Sequence, residues 1–178
     1  MIGIWFPITK GEFALVDRDV FDLVKDIKWH CIVNRSGNKY ASRTIYVSPI
    51  ESHAESLHQF VMFLGIKEYI EDIDHRNNDS LDCRRENLRL ATRAQNNANR
   101  KKINIGHSKY KGVSTYCYVG GWRAYIKSRG KYKHLGVFDA EEEAARAYDL
   151  AAIKYFGEFA YTNFPREEYK DEKLLFMS

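Results

Sequence analysis

An aspartate and a histidine stand side by side at Asp74 and His75, and asparagines follow at Asn87 and Asn96 within the run DHRNNDSLDCRRENLRLATRAQNNANR. Carboxylate and amide oxygens suit a hard divalent cation that keeps several waters, and an imidazole titrating near neutral pH can take a proton from one of them. Together these residue types read as metal-assisted hydrolysis of a phosphodiester. Asn97 is a rival to Asn96 as a ligand, although Asn97 and Asn99 suit a helix surface or a phosphate contact better than a metal. His58, farther upstream, reads either as a residue beside the substrate or as a packed histidine.

Charge distribution says which phosphodiester. Residues 84–133 hold fourteen Lys and Arg against Glu86 alone, a block of +13, and the rest of the chain carries −9. The overall +4 hides this segregation. A basic block between acidic segments is the footprint of a protein that neutralises nucleic-acid phosphates along one face.

The elements that must position these residues fit in 178 residues, enough for one domain or two small ones, with 44% hydrophobic and 14% aromatic content to fill their cores. Such a composition excludes a disordered tail. The first residues lack a basic segment ahead of an apolar run, and no stretch nears bilayer-spanning length, so a soluble, cytoplasmic protein is expected. Cys31, Cys83 and Cys117 are odd in number and far apart; they are expected to be reduced thiols, with neither a disulfide framework nor a zinc site.

Residues 1–50 read as a small α/β segment. Residues 12–16 are extended, 17–27 carry Val20, Phe21 and Val24 at helical spacing, and 29–33 and 39–47 form a hairpin around the turn NRSGNK that carries Trp29 and Tyr40. Ser56 then caps a helix with Leu57, Val61 and Leu64 on one face and Gly65 as its stop. Residues 69–74 are extended, a polar loop leads to Asn87, residues 88–91 are extended again, and Thr92 caps a helix bearing Asn96. That order brings Asp74, His75 and Asn96 around one ion. A basic linker, 101–108, follows; Arg100, Lys101 and Lys102 at its start are expected to meet DNA.

Beyond it, YKGVSTY, GWRAYIKSR and KYKHLGVF are three strand-like runs, and Asp139 with Glu142 forms a capping box for a helix with Ala144, Ala145, Tyr148, Ala151, Ala152 and Tyr155 on one side. In the middle strand Trp122, Ala124 and Ile126 alternate with Arg123, Tyr125 and Lys127, so one face meets the helix and the other stays cationic and aromatic. Leu135 and Phe138 have opposite parity, which predicts a bulge or strand end near Gly136.

These residues carry two resemblances that together cover nearly the whole chain. Residues 57–100, with DH, ENLR and an Asn nine residues after Asn87, resemble the HNH endonucleases in their His-Asn-Asn variant, and residues 1–50 resemble the segment that often precedes that nuclease in homing enzymes of phages and introns. Residues 108–165, with YKGV, WRAYI, LGVF, EEAARAYD and a terminal NFP in order, resemble the Apetala-two/ethylene-response-factor DNA-binding domain. The resemblances imply an α+β fold. It has a ββα-metal nuclease unit (51–100) after the α/β segment (1–50), a linker (101–108), a three-stranded antiparallel sheet packed on one helix (109–166) and a tail (167–178).

The first resemblance makes His75 the general base, Asp74 and Asn96 the protein ligands of one Mg²⁺ or Mn²⁺, and Asn87 the tie between loop and strand. It implies an endonuclease of homing type acting on double-stranded DNA in the nucleoid or a phage-infected cell, as a monomer or homodimer; the alternatives are a DNA-binding regulator with an inactive nuclease and a nonspecific phage nuclease. The second assigns DNA contact to Lys111, Ser114, Arg123, Tyr125 and Lys127, with Arg129, Lys131 and Lys133 on phosphates. Arg123 is the candidate for bidentate contact with guanine. Gln59 and Cys83 stand where members often have Arg and Asn.

Overall fold

The computed structural model describes residues 3–64, 72–102, 107–116 and 120–170. The expected helix stop at Gly65, the start of the strand at 69–71, Cys117, linker residues 103–106 and tail residues 171–178 lie outside them. The chain divides into two compact units, Met1–Ala91 and Thr92–Ser178. Among the described residues no helix is long and apolar enough to cross a membrane.

In the first unit β1 (Gly3–Pro7) pairs antiparallel with β2 (Phe13–Asp17), and α1 (Arg18–Val24) follows directly. β3 (His30–Val33), β4 (Lys39–Ser48) and β5 (Glu51–Ser56) form a meander in the order β3-β4-β5. Next come α2 (Leu57–Phe63) and the two-stranded pair β6 (Asp72–His75) and β7 (Leu88–Ala91). One core joins these pieces: Val16, Val20 and Val24 meet Trp29, Leu57, Val61 and Cys83, all nearly inaccessible to solvent. Burying side chains of that size contributes about 1.5–3 kcal/mol each.

Two strands have no clear sequence signal. β1 precedes every expected element, and β5 (ESHAES) has no apolar alternation; β5 is held by its register on β4 and by Arg43, whose Nε donates to Glu55 Oε2 at 2.7 Å while its guanidinium lies 5.0 Å above the Phe60 ring. The β4–β5 pairing runs across residue 50. At the start of α2, Gln59 Oε1 accepts from Ser56 N at 3.1 Å, so the side chain standing where members often have arginine caps its own helix.

In the second unit α3 (Arg93–Asn99) begins at Thr92, whose hydroxyl accepts from Gln95 N at 3.3 Å and whose N–H donates to Gln95 Oε1 at 2.8 Å. Then come β8 (Val113–Thr115), β9 (Trp122–Ser128) and β10 (Lys131–Phe138) in an antiparallel sheet ordered β10-β9-β8, and α4 (Glu141–Phe156). The expected irregularity is there: the β10–β9 register slips between His134 and Gly136. Gly136 has φ +144°, and a Cβ there would fall 2.9 Å from the Phe138 ring. Val113, Ala124 and Ile126 turn inward to Ala144, Ala145, Tyr148 and Ala152 on α4, small side chains that let the helix lie close to the sheet.

The start of α4 differs from the sequence expectation. Ala140 is the N-cap and makes no side-chain cap, while Glu142 Oε1 accepts from Tyr110 Oη at 3.1 Å and Glu141 Oε1 from Lys109 N at 3.1 Å. The acidic first turn still suits the helix dipole. Its carboxylates tie down the segment before β8 instead of closing a capping box.

Candidate active site and nucleic-acid interface

In the first unit the antiparallel register of β6 and β7 sets Asp74 opposite Arg89 and His75 opposite Leu88. Asp74 and Arg89 are both buried, and Nε and Nη2 of Arg89 reach Asp74 Oδ2 at 2.8 and 2.7 Å. A carboxylate withdrawn from water needs such a partner. Arg89 was not singled out from sequence; only the strand register reveals it.

His75 closes β6, buried, with the half-buried His58 ring edge-on at 5.2 Å and the Tyr40 ring at 6.5 Å. Burial holds the His75 imidazole below its ordinary pKa, opposed by the charges of Asp74, Asp79 and Asp82. Desolvation, and then His75, push His58 down to about 3. Burial thus favours the neutral form of both rings, and a neutral imidazole is the form that accepts a proton. The His58 ring packs between those of His75 and Tyr40, at 5.2 and 5.8 Å.

The loop between β6 and β7 is built by short polar side chains. Asn87 Nδ2 donates to the Asp82 carbonyl at 2.7 Å and Oδ1 accepts from Asn77 N at 3.0 Å, while Arg76 N donates to the Asn87 carbonyl at 2.8 Å. Asn77 Nδ2 and Arg84 Nη2 converge on Asp82 Oδ2 at 2.8 and 2.7 Å. The loop is fastened to β2 by Leu15 N to the Leu81 carbonyl and Cys83 N to the Leu15 carbonyl, at 2.9 and 2.8 Å, and by Arg85 N to Asp17 Oδ2 at 2.9 Å. Cys83 is sealed beneath it, and burial drives its thiol far above the usual range, so it is inert. Asn87→Ala strands the buried Asp82 carbonyl and removes the acceptor of the Asn77 N–H, and is expected to lower the stability of this unit by about 1–3 kcal/mol in chemical denaturation. An unchanged midpoint would remove Asn87 from the anchoring role.

Among the described residues no three His, Cys, Asp or Glu side chains gather as an ion-binding group. The carboxylate of Asp74 and the amide of Asn96 are hard oxygen donors, which fit Mg²⁺ or Mn²⁺. Asn96 lies in the second unit, half-buried on α3, with its N–H on the Thr92 carbonyl at 2.9 Å. Asn97 is exposed and Asn99 buried, so Asn99 is not at the helix surface.

The outer face of β9 carries Arg123, Tyr125 and Lys127, with Arg123 and Lys127 exposed. Rings and cations interleave: the Arg123 guanidinium lies 5.9 Å from the Tyr116 ring and 6.0 Å from Tyr125, and Lys127 Nζ lies 5.3 Å from Tyr132. Lys131 and Lys133 on β10 and Arg129 in the preceding turn are exposed, and Lys133 Nζ donates to Tyr155 Oη at 3.0 Å. Ser114 stands opposite Arg123 on β8, its Oγ buried and without a hydrogen-bond partner among the described residues. Arg100 and Lys101 are exposed, whereas Lys102 is half-buried and its Nζ donates to the Ser108 carbonyl.

Lys111 turns away from the face expected of it. Its Nζ donates to the carbonyls of Ala98 and Arg100, both at 2.6 Å, and closes the end of α3. Desolvation lowers its pKa to about 8, partly offset by Asp149. Its backbone N–H donates to Asn163 Oδ1 at 2.7 Å, and Asn163 is held by the buried Asp149, which also accepts from Phe164 N and Tyr169 Oη, each at 2.9 Å. The terminal NFP is thus the far end of a polar network that runs to α3.

The sequence model of the HNH endonuclease family matches residues 58–98, which include Asp74, His75, Asn87 and Asn96. An AP2-like ethylene-responsive transcription factor of Arabidopsis thaliana is 40% identical over 75 residues, which is 36% of this chain and 14% of that protein. An ethylene-responsive transcription factor of the same plant is 47% identical over 68 residues, 37% of this chain and 16% of that protein. This chain therefore spans only about a seventh of the length of such plant relatives. An uncharacterized HNH endonuclease of Acanthamoeba polyphaga mimivirus is 31% identical over 157 residues, covering 86% of this chain and 76% of that protein. With a relative matched along most of both lengths, and the family's own pattern over the Asp-His and asparagine residues, this chain belongs to the HNH endonuclease family.

Proposed function

We propose that this protein is a site-specific DNA endonuclease of homing type. Its nuclease unit (51–100) hydrolyses a phosphodiester with His75 as general base, and its carboxy-terminal domain (109–166) binds the duplex. The observation that carries this reading is the buried His75 adjoining the Asp74 carboxylate, within the stretch that the family matches. His75 takes a proton from a water in line with the phosphorus, and Asn87 keeps the loop that follows His75 in shape. Asp74 and Asn96 are the protein ligands of one divalent ion, which when bound supplies charge that stabilises the leaving oxygen. Arg89 already faces Asp74, which weakens its hold on a cation; phosphate oxygens of bound DNA complete the affinity. The products carry a 5′-phosphate and a 3′-hydroxyl.

On the sheet, Arg123 reads a base, and Tyr125, Lys127, Arg129, Lys131 and Lys133 position the backbone, with Arg100, Lys101 and Lys102 adding charge. Arg123→Ala is expected to weaken binding by about 1–3 kcal/mol and relax preference at one base pair. An equal loss on every sequence would put Arg123 on a phosphate. Binding measured across a salt series is expected to fall steeply.

The match to plant transcription factors favours a second reading, a DNA-binding regulator with a silent nuclease. Incubating the pure protein with plasmid and Mg²⁺ or Mn²⁺ separates the two. Nicking supports the endonuclease; binding without nicking in either ion supports the regulator.

A further inference from the structure

The second unit holds a cleft of about 500 Å³ whose lining includes Tyr125, Lys127 and Arg129 of the proposed DNA-binding face. Its origin is a mismatch of strand lengths. β8 pairs with β9 only from Val113↔Ala124 to Thr115↔Trp122, followed by one bond from Tyr125 N to the Gly112 carbonyl at 2.9 Å. Gly112 has φ +75°, and a Cβ there would collide with the Tyr148 ring at 1.9 Å, so the glycine lets Tyr148 form part of the wall. Beyond it, residues 126–128 of β9 have only β10 as a sheet neighbour among the described residues, and α3 supplies the opposite wall with Ala94 and Asn97.

The lining has a single chemical character. Among the described residues three cations, Lys111, Lys127 and Arg129, contribute to it, and no aspartate or glutamate does. Lys111 is held by carbonyls at the end of α3, which leaves the exposed Lys127 and Arg129 as the charges nearest solvent. Tyr125 and Tyr132 form an aromatic wall with ring centroids 6.0 Å apart, and Tyr132 is 69% exposed, so its face is available to another ring. A volume of this size suits a small molecule and is far too small for a duplex. Aromatic faces beside positive charge, with no acid, recognise a flat ring joined to a phosphate.

We infer that this cleft takes one unpaired nucleotide, its base against Tyr132 and Tyr125 and its phosphate at Lys127 and Arg129. The inference rests on reading the β9 face as a DNA-binding surface, because Tyr125 and Lys127 belong to both. An extrahelical nucleotide of bound DNA and a free mononucleotide share the chemistry. α3 is what makes the site: without Ala94 and Asn97 the β9 edge is an open shelf.

The test uses the full chain without divalent ions and three probes: a short duplex with one extrahelical 2-aminopurine, the same duplex fully paired, and 2-aminopurine deoxyribonucleoside monophosphate. The bulged duplex is expected to bind roughly 5- to 100-fold more tightly than the paired one, with its emission quenched on binding. Ala94→Trp fills the cleft from an exposed helix position and is expected to abolish that preference while paired-duplex affinity stays within two-fold. Ala94→Phe, a smaller filler at the same exposed position, repeats the test. Quenching of the monophosphate, lost in both variants and without preference for the bulge, would assign the cleft to free nucleotides. Equal affinity for both duplexes and no quenching of any probe overturns the cleft and leaves the DNA-binding face standing. Failure to bind any duplex removes that face as well.

Discussion

Replacing His75 with alanine is expected to lower strand cleavage by roughly 10²- to 10⁴-fold, the contribution of a positioned base, while DNA affinity stays within a few fold. The separation of the two effects follows from where the imidazole sits. It is buried at the end of β6 against His58 and Tyr40, whereas the exposed cations proposed to contact DNA lie on β9, β10, the turn between them and the segment after α3, so its removal withdraws a proton acceptor and no proposed phosphate contact. His75→Gln, which keeps bulk in the cluster and lacks a basic nitrogen, is expected to be equally inactive. A thermal melt distinguishes lost chemistry from lost fold. Parallel loss of binding and cleavage in a folded variant would contradict the assignment.

The second large effect concerns stability. Asp149→Ala is expected to destabilise the second unit by roughly 3–5 kcal/mol, because one buried carboxylate is the acceptor for Asn163 N, Asn163 Nδ2, Phe164 N and Tyr169 Oη, all at 2.8–2.9 Å. Removing it leaves the buried Tyr169 hydroxyl and the half-buried Asn163 and Phe164 N–H groups without their acceptor. A domain whose whole margin is about 5–15 kcal/mol loses a large part of it. Asn163 also holds Lys111, and Lys111 closes α3, so the same change is expected to loosen α3 and widen the nucleotide cleft. Urea denaturation followed by tyrosine and tryptophan fluorescence reads the effect, and an unchanged midpoint would show the network to be dispensable.

Local signals of helix and turn were legible in the sequence wherever one short side chain decides the geometry. Ser56 with Gln59 and Thr92 with Gln95 mark two helix starts, and the parity change at Leu135 and Phe138 marks the slip at Gly136. Alternation along β9 separated the buried Ala124 and Ile126 from the exposed Arg123 and Lys127. What could not be read is set by partners distant in sequence. β5 is a strand because β4 accepts it, and its own letters are polar. Arg89 pairs with Asp74 through a strand register fixed only when the loop between them folds. Lys111 looks like any other lysine of a basic block until two carbonyls of α3 take its ammonium. Asp139 and Glu142 have capping-box spacing, yet Tyr110 takes the Glu142 carboxylate.

The central claim is that Asp74, His75 and Asn96 serve one hydrolytic centre on DNA. Supercoiled plasmid bearing a preferred site, incubated with the protein in Mg²⁺ and in chelator, measures it most directly. Nicked circles are expected in Mg²⁺ only, with 5′-phosphate ends, and none from Asp74→Ala, His75→Ala or Asn96→Ala proteins that still bind the site. Plasmid that stays supercoiled in Mg²⁺ and in Mn²⁺ while wild-type protein is bound to it, or nicking that survives the loss of His75, would rule out such a centre.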